Sequence, residues 1–319
     1  MDTERSFRLN SAWGLFKESV FFYRRNLALI AGTAAVPFAL GALSLLSEAA
    51  GLGVLLVLIM LLSIVAGVLS KVAFFVIASG KEEPNGTVSV SKQVSAVYKS
   101  GLHSLFPFLW VNAYAVLAGL GGLFLFFIPG IIIWVLVSLS AFALFVDGRR
   151  GIEALASSWY YVREYWWDVF WRFLFFGIII LGSGLLLVLA GGGFGFMKEL
   201  ASTTDLASMK PQVPYLAQLI NSFFNNFIFL PLGAIYPFLV YKDLKKVKPE
   251  PDEATLSGIK KKINIFIVVA SVGIILLLAF AGFAMFHYVN QLMSFSSGVE
   301  TTSLLASFNL AKFVGSLPW

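Results

Sequence analysis

The stretch "FLPLGAIYPFLVYKDLKKVKPEP", from Phe229 to Pro251, changes abruptly from apolar to charged residues. It holds no charged residue up to Tyr241, whereas five of the seven residues from Lys242 to Lys248 are charged. A helix that leaves the hydrocarbon core of a bilayer shows this change, because lysine is favoured beside anionic headgroups. The stretch therefore predicts a membrane exit near Tyr241.

The composition of the whole chain also indicates a membrane protein. Of its 319 residues, 59% are hydrophobic and 13% are charged, and the mean hydropathy is +0.86. A soluble globule of this composition would leave apolar surface in water. The absence of cysteine excludes disulfides and cysteine-held metals. We predict no metal, no cofactor and no nucleic-acid partner, since membrane orientation explains the net charge of +6 better.

Long apolar runs predict an all-α, polytopic membrane protein with about seven transmembrane helices. One run, from residue 106 to 146, is too long for a single crossing of about 20 residues. It contains Gly119, Gly121 and Gly122 and then Pro129-Gly130, so we predict two helices joined by a turn near "FFIPG". The other runs cover residues 27–47, 51–80, 169–190, 216–241 and 263–287.

The basic residues predict the orientation of these spans. When the segments between spans are assigned to alternate sides, one side receives 20 of the 23 lysines and arginines. The other side receives only Lys198, Lys210 and Lys312. Positively charged segments stay in the cytoplasm, so we predict that the N terminus lies inside and the C terminus outside. Lys81, Arg149 and Lys245 are then cytoplasmic.

A threefold pattern divides the chain. Apolar residues at helical spacing around Trp13, Val94 and Trp159 precede each of the first three hairpins of spans. Steps of three and four residues put each set on one helix face, as in helices that lie along a membrane interface. The predicted segments are an interfacial segment (residues 1–26), a six-helix bundle (27–246), a polar cytoplasmic linker (247–262), an appended seventh span (263–289) and an extracytoplasmic tail (290–319).

The stretch "FFIPGIIIWVLVSLSAFALFVDGRRGIEALASSWYYVREYWWDVF", which begins at Phe126, carries a family resemblance. With the later "YPFLVYKDLK", it resembles the signature of the prokaryotic membrane domain of glycerophosphoryl diester phosphodiesterases and its stand-alone relatives of unknown function. The resemblance covers about residues 8–246 and implies a six-helix membrane fold in the inner membrane of a prokaryote. A seventh span follows the matching region here. We expect no phosphodiesterase activity, because that chemistry needs histidines beside a carboxylate-held metal, and the two histidines of the sequence, His103 and His287, fall on opposite sides of the predicted topology. The matching positions are Ile128-Pro129-Gly130, Asp147, Glu153-Ala154-Leu155, Ser157, Ser158, Trp166 and Trp167.

Basic residues gather where two of the hairpins end on the predicted cytoplasmic side. Each basic residue near an anionic surface contributes about 1 kcal/mol, so several together can hold a phosphate headgroup. Arg172 lies one turn into the fifth span, where it either anchors a lipid phosphate or pairs with Asp168. We call this basic surface the cytoplasmic mouth and predict that it binds anionic membrane lipids. Its residues are Arg149, Arg150, Arg172, Lys242, Lys245 and Lys246.

Four polar residues within the apolar runs are further candidates, namely Lys71, Asn112, Asn225 and Asn226. An ionisable residue in a span is a candidate functional site, but Lys71 also lies close enough to the end of its run to snorkel to the headgroups. The asparagines either line a polar path or form hydrogen bonds between helices.

Enzymatic chemistry has little support in the sequence. Ser183 and His287 both lie toward the predicted outer side and could form an intramembrane serine hydrolase. Glycines on both sides of Ser183 are more typical of close helix packing, so we predict no catalytic residues.

Three functions remain open. The first is non-enzymatic binding or movement of lipids or other amphiphiles, or membrane homeostasis. The second is a small-solute transporter or channel, which predicts a polar cavity that reaches Lys71 and the asparagines. The third is a scaffold whose outer tail binds a partner protein.

Overall fold

The computed structural model describes residues 9–80, 88–189 and 215–314, with only the backbone for residue 188 and residues 291–314. Several lysines that the predicted topology depends on lie outside these residues. They are Lys81, predicted to be cytoplasmic, and Lys198 and Lys210, predicted to be on the other side; the side chain of Lys312 is also outside. Every regular element in the described part is helical. A π-helical turn, Asn225–Phe229, joins α9 to α10. The helices are α1 (Ala12–Arg25), α2 (Leu27–Ala49), α3 (Gly53–Ala78), α4 (Val90–Leu125), α5 (Phe127–Val137), α6 (Ser140–Asp147), α7 (Ile152–Arg163), α8 (Trp166–Val188), α9 (Tyr215–Phe224), α10 (Leu230–Val247) and α11 (Glu253–Val314).

Seven helical stretches in the described residues are long and apolar enough to cross a bilayer, which confirms the predicted all-α, polytopic membrane fold. The fourth stretch combines α5 and α6, and the sixth combines α9, the π-helical turn and α10. The stretches are Leu27–Ala49, Gly53–Ala78, Val90–Leu125, Phe127–Asp147, Trp166–Leu187, Tyr215–Val247 and Glu253–Asn290.

The turn predicted near "FFIPG" lies at Phe126, between α4 and α5. The glycines beside it serve another purpose than a turn, because they bring the two helices into close contact. A Cβ atom added to Gly122 would lie 2.9 Å from the Cα of Gly130, and one added to Gly119 would lie 2.5 Å from the Trp134 ring. Small residues let helix backbones approach this closely in membranes.

The last helix, α11, packs against α4 through a second pair of glycines. A Cβ atom added to Gly121 would lie 1.8 Å from the carbonyl oxygen of Phe266, and one added to Gly273 would lie 2.7 Å from the Phe124 ring. The appended seventh span is therefore joined to the hairpin of α4 and α5 by direct backbone contact.

Two prolines free backbone carbonyls that tyrosines from other helices then bind. Proline lacks an N–H group, so the carbonyl four residues earlier in the helix loses its partner. Pro37 leaves the carbonyl of Thr33, which accepts a hydrogen bond from Tyr98 of α4 at 2.7 Å. Pro231 leaves the carbonyl of Phe227, which accepts one from Tyr23 of α1, also at 2.7 Å. These bonds join helices that are far apart in sequence.

The break between α5 and α6 is held by Ser158 of α7. Its hydroxyl donates to the Leu136 carbonyl at 2.7 Å and accepts from the Leu139 N–H at 3.1 Å. Nearby, the indole N–H of Trp166 donates to the Ile132 carbonyl at 3.2 Å. Residues that carry the family resemblance thus make contacts that join helices.

Burial is greatest at the end of the bundle where α3, α6 and α10 finish. Every residue from Val72 to Ala78 is buried, as is every residue from Ser140 to Phe145, whereas most residues from Leu52 to Leu62 are exposed. The predicted topology assigns this buried end to the cytoplasmic side. We call it the charged end, because Asp147 and Lys242–Lys248 also lie there.

The three predicted interfacial helices differ from one another. The segment around Val94 is no separate helix, because α4 runs without a break from Val90 to Leu125. The segment around Trp159 is α7, most of which is buried between other helices. The segment around Trp13 is α1, which runs antiparallel to α10, with Asn10 beside Asp243 and Tyr23 beside Phe227. Contacts with protein therefore bury Val97 and Trp159, which we predicted would face lipid, whereas Trp13 is 52% exposed.

The last two predicted boundaries also differ. Helix α10 ends at Val247 and α11 begins at Glu253, so only residues 248–252 of the predicted linker are non-helical. The Asp252 carboxylate accepts a hydrogen bond from the Thr255 N–H at 3.3 Å, which caps the start of α11. At its other end α11 continues through the predicted tail to Val314. Its 62 residues span about 93 Å, far more than a bilayer core of about 30 Å.

Candidate functional site

The charged end is organised around Asp147, the last residue of α6. Gly148 ends the helix with φ of 70°, and Gly151 follows with φ of 54°, conformations that glycine adopts without strain. The chain therefore turns sharply there. Arg149 and Arg150 lie within this turn.

Asp147 forms a nearly buried ion pair with Lys245 of α10. The Lys245 Nζ lies 2.6 Å from Asp147 Oδ1, and the hydroxyl of Tyr241 donates to Oδ2. The side chains of Asp147 and Lys245 are 10% and 24% exposed. Lys245 also pairs with Glu250 at 3.2 Å. Its ammonium is therefore neutralised within the protein and does not offer a free positive charge to a headgroup.

Two hydroxyls on the neighbouring face of α7 are buried without a hydrogen-bond partner among the described residues, those of Ser157 and Tyr161. The ring of Tyr161 packs edge-on against Tyr241 at a centroid distance of 5.5 Å. Burial raises the pKa of Tyr161 to about 12, so its hydroxyl stays protonated at neutral pH. The cluster of Asp147, Lys245 and the hydroxyls thus carries no net charge from its members.

Lys248 fastens the end of α10 to α7. Its ammonium donates to the Tyr160 carbonyl at 2.6 Å, pairs with Glu164 at 3.0 Å and lies 3.9 Å from the centre of the Tyr160 ring. Lys248 is buried, whereas the Glu164 side chain is 54% exposed. A cation is favoured here because it binds a carbonyl at the C-terminal end of α7. The hydrogen bond from Lys248 lowers the pKa of Glu164.

Replacing Glu164 with glutamine is expected to make the protein less stable at neutral pH but not at acidic pH. Because the folded pKa is lowered, the pair contributes fully above the unfolded pKa of about 4.3, and the contribution disappears as pH falls through the folded value. Solvent exposure of Glu164 limits the effect to below about 1 kcal/mol. Melting temperatures in detergent at pH 7 and pH 3 measure it. The variant should be less stable only at pH 7, and Glu18→Gln, on the exposed face of α1, should match the wild type at both.

Arg172 makes one contact that the sequence suggested, with Asp168, and one that it did not, with Asn10. Its side chain is 8% exposed, its Nη2 and Nε donate to the Asn10 carbonyl at 2.6 and 3.2 Å, and its Nη1 lies 3.4 Å from Asp168. The N–H and side-chain amide of Asn10 donate in turn to the buried Asp243, at 2.7 and 3.1 Å. Of our two interpretations of Arg172, the ion pair with Asp168 is present. Because protein groups surround the guanidinium, we withdraw Arg172 from the predicted headgroup site.

The remaining basic residues of the predicted mouth divide by exposure. Arg149 is mostly buried and lies 3.9 Å from Glu253. Arg150, Lys242 and Lys246 are exposed, and none has an ion-pair or hydrogen-bond partner in the described part of the chain. Lys242 and Lys246 are four residues apart in α10, so they share a face of that helix. The unpaired positive charge of the mouth therefore rests on these three side chains.

The polar candidates within the apolar runs form no hydrogen bond between helices among the described residues. The amide of Asn112 donates to the Phe108 carbonyl and that of Asn226 to the Ser222 carbonyl, both at 2.8 Å and within the same helical stretch. Asn225 is exposed on the π-helical turn. Lys71 is also exposed, whereas its neighbour Ser70 is buried and bonds Tyr98, so Lys71 points away from the bundle as the snorkelling interpretation requires. The Ser183 hydroxyl donates to the Ile179 and Ile180 carbonyls of its own helix.

An apolar groove between α5 and α11 was not predicted from the sequence. It has a volume of about 440 Å³, and Trp159 of α7 contributes to its wall. Its one ionisable residue is Lys262, the last lysine of "GIKKKI". The sequence signal was weak, because three adjacent lysines at the start of a span are ordinary for a cytoplasmic end.

Searches for similar proteins returned no matching family model, no similar curated protein and no similar solved structure.

Proposed function

We propose that this chain is a non-enzymatic, multi-pass protein of a prokaryotic inner membrane, with its N terminus inside, that binds anionic lipids or other anionic amphiphiles at the charged end of its bundle. The observation that carries the proposal is that Arg150, Lys242 and Lys246 are exposed and have no ion-pair or hydrogen-bond partner among the described residues. Phosphate headgroups are the anions that such a surface meets at the cytoplasmic face of a bilayer.

The pairing of the other charges supports this proposal. Asp147 and Glu250 are bound by Lys245, Glu164 by Lys248, and Glu153 by Lys260. These acidic groups are thus already paired with other lysines, and the buried Asp243 is bound by Asn10. The positive charge of Arg150, Lys242 and Lys246 therefore extends into the surroundings, where an anionic headgroup can respond to it.

The resemblance to the membrane domain of glycerophosphoryl diester phosphodiesterases is compatible with a function that involves lipids, but it stays a prediction. The residues that carry it, such as Ser158 and Trp166, bond the backbone of neighbouring helices. They support the six-helix unit more than any chemistry, and the lipid proposal rests on the exposed cations.

Replacing Arg150, Lys242 and Lys246 together with glutamine is expected to weaken binding of phosphatidylglycerol by up to about 100-fold, because each charge contributes about 1 kcal/mol. The measurement is native mass spectrometry of the purified protein titrated with this lipid, with phosphatidylcholine as the neutral comparison. The control is the triple variant Arg24→Gln, Arg25→Gln, Lys92→Gln, whose residues are also exposed and predicted to be cytoplasmic. Equal losses in the two variants would reduce the proposed site to general attraction.

A further inference from the structure

The groove between α5 and α11 has apolar walls and one charged residue. It is lined by Pro129, Ile132, Ile133, Leu136, Trp159, Lys262, Ile265 and Phe266. Its volume of about 440 Å³ is typical of sites that hold a small ligand, which range from about 300 to 1,000 Å³. Both α5 and α11 belong to stretches that are apolar enough to cross a bilayer. The groove therefore opens toward acyl chains rather than toward water.

Lys262 differs from the two lysines before it. Lys260 is bound to Glu153, so its charge is neutralised. Lys261 is exposed but does not line the groove. Lys262 is exposed, lines the groove and has no acidic partner in the described residues. A single cation on apolar walls matches a molecule with an apolar chain and an anionic head.

We infer that the groove holds one acyl chain of an anionic phospholipid, with the phosphate of that lipid beside the Lys262 ammonium. The inference shares its ligand class with the proposed function but uses none of the residues Arg150, Lys242 and Lys246. Loss of one site therefore leaves the other intact. An apolar peptide fits less well, because it has no anionic group of its own to place beside Lys262.

Physical chemistry limits the strength of this site. An acyl chain that moves from the bilayer into the groove leaves one apolar environment for another, so the hydrophobic effect adds little. An unfilled groove would deprive its walls of dispersion contacts, and lipid is the solvent available to fill it. Preference among lipids then comes from the charge on Lys262. One such charge near a phosphate corresponds to a preference of about five-fold for anionic over neutral lipid.

Bromine-labelled acyl chains test the occupant, because bromine quenches tryptophan fluorescence on contact. The protein is reconstituted in vesicles of brominated phosphatidylglycerol mixed with unlabelled phosphatidylcholine, and then with the label exchanged. The difference between the wild type and Trp159→Phe isolates the quenching of Trp159 from that of the other seven tryptophans. We expect Trp159 to be quenched by both lipids, about five-fold more effectively by the anionic one at equal label. No quenching of Trp159 would overturn the inference.

Matched variants separate the headgroup from the chain. Lys262→Gln should abolish the preference for the anionic lipid, whereas Lys261→Gln should retain it. Ile132→Phe should fill the groove and reduce the quenching of Trp159 without removing a tryptophan, which provides a second measurement if Trp159→Phe folds poorly. An unchanged preference in Lys262→Gln, or unchanged quenching in Ile132→Phe, would contradict the inference. The triple variant of Arg150, Lys242 and Lys246 should leave both measurements unaltered.

Discussion

Replacing Gly121 with alanine is expected to separate α4 from α11 and to lower the melting temperature of the protein sharply. The added Cβ would lie 1.8 Å from the carbonyl oxygen of Phe266, a distance at which the atoms overlap. The obstacle is backbone, so no rotamer change relieves it and one of the two helices must move. Overpacking in a core costs about 1–3 kcal/mol, and a clash with backbone belongs at or above the upper end.

The matched control for this substitution is Gly182→Ala. Gly182 also lies in an apolar span, but a Cβ added there has no atom within 4 Å. Alanine favours helix over glycine by about 0.5–1 kcal/mol, so the control should be unchanged or slightly more stable. Thermal unfolding in one detergent compares the variants, and amide exchange around Phe266 should be faster only in Gly121→Ala. Similar melting curves for both variants would show that α4 and α11 do not pack as described.

The spans could be predicted from the sequence because their signal is local. A run of about 20 apolar residues fits the thickness of a bilayer wherever the rest of the chain lies. The turn at Phe126 was predictable for the same reason, since the run from residue 106 to 146 exceeds one crossing. The glycines within that run carried no local sign of their partners. Gly121 meets Phe266, 145 residues later, and only the folded chain brings them together.

The candidate site could be predicted only in part, because basic residues mark a side of the membrane without showing what each one binds. Lys242, Lys245, Lys246 and Lys248 look equivalent in the sequence. In the structure, Lys245 is paired with Asp147, 98 residues away, and Lys248 is buried against α7, whereas Lys242 and Lys246 are exposed. Helical geometry explains the division, since steps of 100° turn neighbouring residues toward different surroundings. The face of α10 that contacts protein is set by the positions of α6 and α7, and the sequence of α10 alone does not show those positions.

The same limit explains the result for Arg172. A guanidinium within a span suggested a lipid phosphate, because no nearby residue except Asp168 could balance it. Its main partner is the carbonyl of Asn10, 162 residues earlier in the chain. A backbone carbonyl has no residue type, so no sequence pattern could indicate it.

Replacing Lys245 with methionine is expected to destabilise the protein by about 3 kcal/mol. The substitution keeps an unbranched side chain that is one atom shorter. It leaves the carboxylate of Asp147, which is 10% exposed, with the Tyr241 hydroxyl as its remaining partner in the described residues. Breaking a buried ion pair in this way costs about 3–5 kcal/mol, since a charge stays buried without compensation. The partial exposure of Lys245 places the cost at the lower end. Melting temperatures and denaturant midpoints in detergent measure the loss.

The double variant Asp147→Asn, Lys245→Met decides whether the pair acts through its charge. Removing both charges leaves a neutral amide that still accepts a hydrogen bond from Tyr241, so the double variant should recover most of the stability lost by Lys245→Met alone. Lys246→Met is the control, because Lys246 is exposed and unpaired in the described part, and its replacement should change stability by less than about 0.5 kcal/mol. A double variant as unstable as Lys245→Met would mean that the lysine stabilises α10 through its packing. In that case the contact between α6 and α10 would hold the charged end together through packing, and the neutralisation of Asp147 would contribute little to its stability.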